Sequence, residues 1–155
     1  MDAVSSIVIR PARRDDVGII VGMLADDPLG RARERLENPL PPSYFEAFET
    51  LERASNIQLV VAEEGGAVVG CLQLCILPGL SSQGASRGLI EDVRVATHCR
   101  SRGIGEQLVQ WAIAEARANG CKLVELLTHN TRVDAQRFYV RLGFQPSHVG
   151  MTLRF

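Results

Sequence analysis

Residues 100–105 read RSRGIG and carry the strongest chemical signal in the chain. They follow a β-like stretch, residues 89–95 (LIEDVRV). They open a segment whose Leu108, Val109, Ala112, Ile113 and Ala116 fall on one helical face. The first backbone N–H groups of a helix have no internal partner and point outward. The helix dipole adds about half a positive charge at that end, so a helix mouth of this kind binds phosphate. Gly103 and Gly105 let the backbone curl and let a ligand approach with no Cβ in the way. Ser101 and Ile104 complete the run of amides, and Arg100 and Arg102 can add charge for a doubly anionic group. A pyrophosphate suits this constellation. Two rival phosphate motifs are missing. The sequence contains no G-x-x-x-x-G-K-[ST], and the dinucleotide fingerprint fails because position 108 is Leu.

The elements that must hold this mouth can be read from patterning. Residues 7–10 (IVIR) form a first strand ended by Pro11, and Asp15 and Asp16 precede a helix reaching about Ala25. Residues 26–43 are irregular and proline-bearing, with a helical turn or two expected in RARERLE. Residues 44–54 have helical spacing. Strands at 58–63 and 67–77 flank Gly65-Gly66, a dipeptide that favours a hairpin turn. A loop at 78–87, the strand at 89–95, the helix to about Asn119 with Gly120 beyond it, a buried strand at 122–128 and a helix at 133–142 follow. Residues 144–155 are expected to return as one or two strands. The strand–helix–strand crossover in the second half implies one parallel pair, hence an α/β chain of the α+β kind with a mixed sheet.

Bulk properties narrow the function classes. A chain of 155 residues, 46% hydrophobic and 23% charged, is expected to be one globular domain spanning 1–155. A formal net charge of -1 gives no general attraction to nucleic acid or anionic membrane. No run of 18 apolar residues predicts a membrane span, and residues 1–16 do not read as a secretory leader. Cytoplasmic location is the expectation. Cys71, Cys75, Cys99 and Cys121 form no C-x-x-C pair and have no histidine cluster, so no metal site is expected and the thiols read as buried, reduced side chains.

Two motifs together resemble a known family. Arg100, Gly103 and Gly105 fit R-x-x-G-x-G, and Ala135, Phe138, Tyr139, Gly143 and Phe144 fit A-x-x-F-Y-x-x-x-G-F. This pair, in this order, resembles the GNAT superfamily of acyl-CoA N-acetyltransferases, and the element order extends the resemblance over nearly the whole chain. The resemblance implies a central mixed, mostly antiparallel sheet flanked by helices. It also implies acetyl-CoA as cosubstrate, no metal, and direct attack by an amine in a ternary complex. The expected acceptor is a primary amine of a small molecule. The alternatives are a protein or peptide acceptor, or a non-catalytic acyl-CoA-binding domain.

Carried over by position, Val93 and Val95, with Arg94 between them, lie on the strand whose main chain meets the pantetheine arm. The diphosphate falls on residues 100–105, with Glu106 expected to point away. Tyr139 resembles the tyrosine beside the CoA sulfur. Glu91 is the candidate base, because IEDV resembles the fourth strand of some sugar-amine acetyltransferases. An ideal strand puts Glu91 on one face with Val93 and Val95, although a bulge would shift the phase and leave Asp92 or a water chain in play. One departure stands out. Where many relatives carry a cofactor-contacting Asn, this chain has Arg132. Asn130, two residues earlier, and Arg137 are the substitute cofactor contacts considered. Edge strands at the C-terminus could pair in a homodimer.

Overall fold

The structure is a computed structural model that describes residues 6–155. The reading of the N-terminus as free of a leader falls partly outside that range. Five strands form one sheet in the order β1-β2-β3-β4-β5: β1 (Val8–Pro11), β2 (Ile57–Glu64), β3 (Ala67–Leu77), β4 (Arg87–Val95) and β5 (Leu123–Leu126). The first three pairings are antiparallel and β4–β5 is parallel, as the crossover requires. The helices are α1 (Val17–Leu24), α2 (Pro28–Arg33), α3 (Pro42–Arg53), α4 (Ile104–Ala118) and α5 (Val133–Arg141).

Both faces of the sheet are covered, which is why β3 reads as a near-continuous apolar run instead of alternating. On one face Leu72, Leu74 and Ile90 meet Ile104, Leu108, Val109 and Ala112 of α4. Ile104, Leu108 and Val109 are each no more than 2% exposed, and full burial of such a side chain is worth about 1.5–3 kcal/mol. On the other face Val61 and Cys71 pack on Ile20 and Met23 of α1, and Val17 and Val21 pack on Phe48 of α3.

An ion-pair network ties β1 to the start of α1. Arg10 donates to Asp16 at 2.8 Å and to Glu63 at 2.7 Å. Burial alone would raise the Asp16 carboxyl, but Arg10 and the Arg13 amide outweigh it and hold it below the usual carboxylate range. Asp16 therefore accepts from residues before the helix instead of capping it with its side chain.

Three expectations need correction. α2 begins at Pro28, with the Asp27 carboxylate accepting the Gly30 amide as its cap, and stops at Arg33, so RARERLE is helical only in its first residues. β5 has four residues, with Leu123 49% exposed, and is not a buried strand. Among the described residues no strand follows it, and residues 145–155 are exposed. A strand needs a ladder partner. Here Pro146 lacks an N–H, and near Gly150, where a Cβ would stand 2.9 Å from Leu127, the tail runs beside the residue that follows β5.

Candidate active site

The site is organised by an irregularity in β4. Gln73 pairs with Glu91, and Cys71 pairs with Arg94, so two steps on β3 face three on β4. The extra residue is Asp92, whose φ of 52° lies in the left-handed region. Asp is one of the few residue types that visits this region, and the arrangement is a β-bulge. The Asp92 carbonyl turns toward Cys71, whose thiol approaches it at 3.5 Å. The phase shift has a direct consequence. Val93 and Val95 pack into the α4 core, whereas Glu91 and Arg94 share the face of Cys71 with which α1 packs. The ideal-strand expectation that Glu91 would join Val93 and Val95 is therefore overturned by the bulge.

The parallel ladder between β4 and β5 ends at Ile90 opposite Leu126. Beyond it lies a cleft of about 340 Å³ lined by Leu89, Ile90, Glu91, Asp92 and Leu127. The Glu91 carboxylate accepts from Gln73 Nε2 at 3.2 Å and lies 3.8 Å from Cys75 Sγ. Burial pushes the Cys75 thiol up, and the Glu91 carboxylate adds to the shift against the opposing Gln73 hydrogen bond. Cys75 thus stays a neutral thiol in this setting. A larger cleft of about 580 Å³ between α3 and β2 lies away from these groups, with Phe48, Leu51 and Leu59 on its walls.

At the α4 mouth, Gly103 is the N-cap residue with φ 78°, and Ser101 has φ 60°. These successive left-handed turns curl the loop so that the first α4 amides face outward. Gly103 is needed for its conformation, since an L side chain at that φ is strained. Gly105 differs: a Cβ there would stand 3.5 Å from Phe138 and 3.6 Å from Val95, ordinary contact distances. Internal packing therefore does not demand glycine at 105.

The two arginines of the mouth have carboxylate neighbours. Arg102 donates to both Glu64 oxygens, at 3.0 and 2.6 Å. Arg100 Nε donates to the Val95 carbonyl at 3.3 Å, and its Nη2 lies 3.7 Å from Asp26, which also accepts from the Thr97 hydroxyl. They brace the loop. The Arg100 amide is given to the Thr97 carbonyl at 3.4 Å, and the amides of residues 101–105 remain as the loop's open donors. Glu106 is exposed and accepts from Gln110 Nε2 at 3.1 Å, so it points along the helix surface and away from the mouth.

Tyr139 sits on α5 against two rings, edge-on to Phe138 at 5.1 Å and to Phe144 at 5.8 Å. Burial raises its phenol above the ordinary value, opposed in part by the charges of Arg94 and Arg132. It is protonated throughout the neutral range and is available as a donor. Asn130 is exposed, and its carbonyl accepts from Gln136 Nε2 at 3.0 Å. Arg137 is 75% exposed, 3.8 Å from Asp134.

Patterning missed one cluster. Arg132 Nη2 donates to Asp27 at 2.6 Å across 105 residues of sequence, and Arg94 Nη2 stands 3.9 Å from the same oxygen. Burial alone would raise the Asp27 carboxyl, but the Gly30 amide and Arg132 outweigh it and hold it low. The clue at sequence level was the departure at 132 itself: a charged residue standing where the resembling pattern has a neutral amide.

Residues 8–144 match the acetyltransferase (GNAT) family, and the chain belongs to that family of acetyl-CoA-dependent N-acyltransferases. It is 36% identical to the aminoalkylphosphonate N-acetyltransferase of Salmonella typhimurium over 77% of each chain. It is 29% identical to glucosamine 6-phosphate N-acetyltransferase 1 of Oryza sativa subsp. japonica over 76% of this chain and 74% of that one. Its fold superposes with a TM-score of 0.94 on a crystal structure from Bacillus halodurans C-125, named as a transcriptional regulator. That structure is 47% identical and is matched over 97% of this chain and all of its own. The mixed sheet is thus a family feature. Among the described residues no helix is long and apolar enough to cross a membrane, and no cluster of three or more His, Cys, Asp or Glu side chains is placed to hold a metal.

Proposed function

We propose that this chain, as one cytoplasmic domain over 1–155, transfers an acetyl group from acetyl-CoA to the primary amine of a small molecule. Transfer is by direct attack within a ternary complex. The observation that carries the reading is the α4 mouth, whose open amides suit a diphosphate, on a chain that also sets Glu91 in a cleft at the β4 bulge and Tyr139 on α5 near Arg94 and Arg132. The two curated relatives named above are named for small amines, which supports a small acceptor over a peptide.

In this reading the amides of residues 101–105 hold the diphosphate, with Arg100 and Arg102 keeping the loop in shape. Val93, Arg94 and Val95 run beside the pantetheine arm. The Val93 and Val95 carbonyls already accept from Arg94 and Arg100 side chains, so these two guanidiniums shift if the arm takes those acceptors. Asn130 and Arg137 contact the cofactor at the rim of its site.

The acceptor arrives as an ammonium ion and must lose a proton to become nucleophilic. Glu91, directly or through water, takes that proton. The nitrogen attacks the thioester carbonyl, forming the C–N bond. Collapse of the tetrahedral intermediate breaks C–S, and Tyr139 gives its proton to the departing thiolate. The second amine proton returns to Tyr139 through solvent, so the sum is amide, free thiol and one released proton.

Release of free CoA from acetyl-CoA across a panel of primary amines and peptides tests the reading. Turnover confined to small amines is the expected result. Tight acetyl-CoA binding with no turnover of any amine would leave only a binding domain, and acetylation of peptides alone would move the acceptor class.

A further inference from the structure

We propose that Arg94 and Arg132, braced by Asp27, form a subsite for a phosphonate or phosphate group carried by the acceptor amine. The inference rests on the transferase reading above and adds the acceptor's second functional group.

The argument begins with unbalanced charge. Arg94 and Arg132 side chains are 16% and 29% exposed, and the carboxylate they share is that of Asp27. A guanidinium does not shed its proton to escape burial. Asp27 is committed on several sides, to Arg132, to Arg94 and to the Gly30 amide. The neighbouring Asp26 is engaged by Thr97 and Arg100. Two cations against one shared carboxylate leave a positive charge in a half-closed site, which is costly unless an anion completes the set.

An unpartnered donor points the same way. Arg94 Nη1 donates to the Val93 carbonyl at 2.9 Å, but Arg94 Nε is buried with no hydrogen-bond partner, the one such side-chain N or O among the described residues. A buried orphan donor costs about 1–3 kcal/mol, and more when charged. An oxyanion with several acceptor oxygens satisfies it and pairs with the guanidinium fork.

Position ties the pair to the acceptor. The bulge puts Arg94 on the same face as Glu91, opposite Cys71 and Gln73, two positions apart on β3. At about 3.3–3.4 Å per residue that separation is near 7 Å. Both groups thus stand on one face of one strand, which suits a molecule that carries an amine and an oxyanion close together. Both guanidiniums also act electrostatically on the Tyr139 hydroxyl, so the pair lies near the phenol proposed to protonate the thiolate.

The test compares kcat/KM for three matched amines: 2-aminoethylphosphonate, β-alanine and propylamine. A site built for a doubly charged oxyanion is expected to favour the phosphonate over propylamine by at least about 100-fold, and over the carboxylate by about tenfold. Arg132→Gln should cut kcat/KM for the phosphonate by about 50-fold, chiefly through KM, and for propylamine by less than about threefold. Arg132→Lys, which keeps the charge without the fork, should fall between.

Equal use of all three amines by the unaltered enzyme overturns the proposal, as does an Arg132→Gln variant that slows phosphonate and propylamine alike. A rise in KM for acetyl-CoA alone would assign the pair to the cofactor instead. If no amine turns over, the transferase reading fails separately. The subsite then stands or falls on calorimetry with methylphosphonate: binding weakened at least about tenfold by Arg132→Gln sustains it, and no binding to the unaltered enzyme sinks it.

Discussion

The two ends of the site are made of different material. At the α4 mouth the open donors are main-chain amides, aimed by Gly103 at φ 78° and Ser101 at φ 60°. The charged side chains there are spent on Glu64 and Asp26. At the other end the donors are side chains, Arg94, Arg132 and Tyr139, brought together from β4, the turn before α5, and α5 itself. Amides carry no side-chain identity, so the first end suits a ligand common to a whole family. The second end can change with each substitution, which suits its proposed role of telling one acceptor from another.

The largest effect is expected at the main-chain end. Replacing Gly103 and Gly105 together with Val should weaken acetyl-CoA binding at least about 100-fold in calorimetry, because one change strains the loop and the other fills the space beside it. A change below about threefold would mean that the amides do not hold the cofactor. At the side-chain end, Tyr139→Phe keeps the ring contacts with Phe138 and Phe144 and removes only the hydroxyl. It should lower kcat at least about tenfold with little change in KM for acetyl-CoA. An unchanged kcat removes the phenol from the chemistry.

Smaller effects sharpen the contrast. Glu91→Gln should lower kcat/KM about fivefold near pH 7 and less at pH 9, where more of the acceptor is already neutral. Loss equal at both pH values would argue against a base. The unaltered enzyme should gain rate up to at least pH 9 with no falling limb, since burial holds the Tyr139 phenol above its ordinary value. Smallest of all is a stability effect. Asp16 and Asp27 are held below the usual carboxylate range. Their contribution is therefore whole above the unfolded pKa of about 4 and lost as pH falls through the folded value. Thermal midpoints should be flat from pH 8 to 5 and drop below about pH 4, and Asp27→Asn should soften that drop.

The same division explains what could be read from residues alone. The α4 mouth was legible because it is local: the glycines, the preceding strand and the amphipathic helix fall within 30 residues. Tyr139 was legible from a ten-residue pattern. The Asp27–Arg132 pair was not, since its partners are 105 residues apart and each alone looks like a solvated charge. The facing of Glu91 was misjudged, because nothing in IEDV announces that Asp92 adopts a left-handed backbone. One or two C-terminal strands were expected over residues 144–155, yet Val149, Met151, Leu153 and Phe155 find no partner strand among the described residues. Those side chains stand 80% exposed or more.

The bulge at Asp92 also makes the cleft separable from the register of the sheet. Removing that single residue would leave Glu91 opposite Gln73 and Arg94 opposite Cys71, so every other side chain of β4 would keep its side. The strand would lose only its local bend and the carbonyl that meets the Cys71 thiol. A one-codon deletion would therefore leave Glu91 and Arg94 present and on the same side, yet with a straightened wall along the cleft.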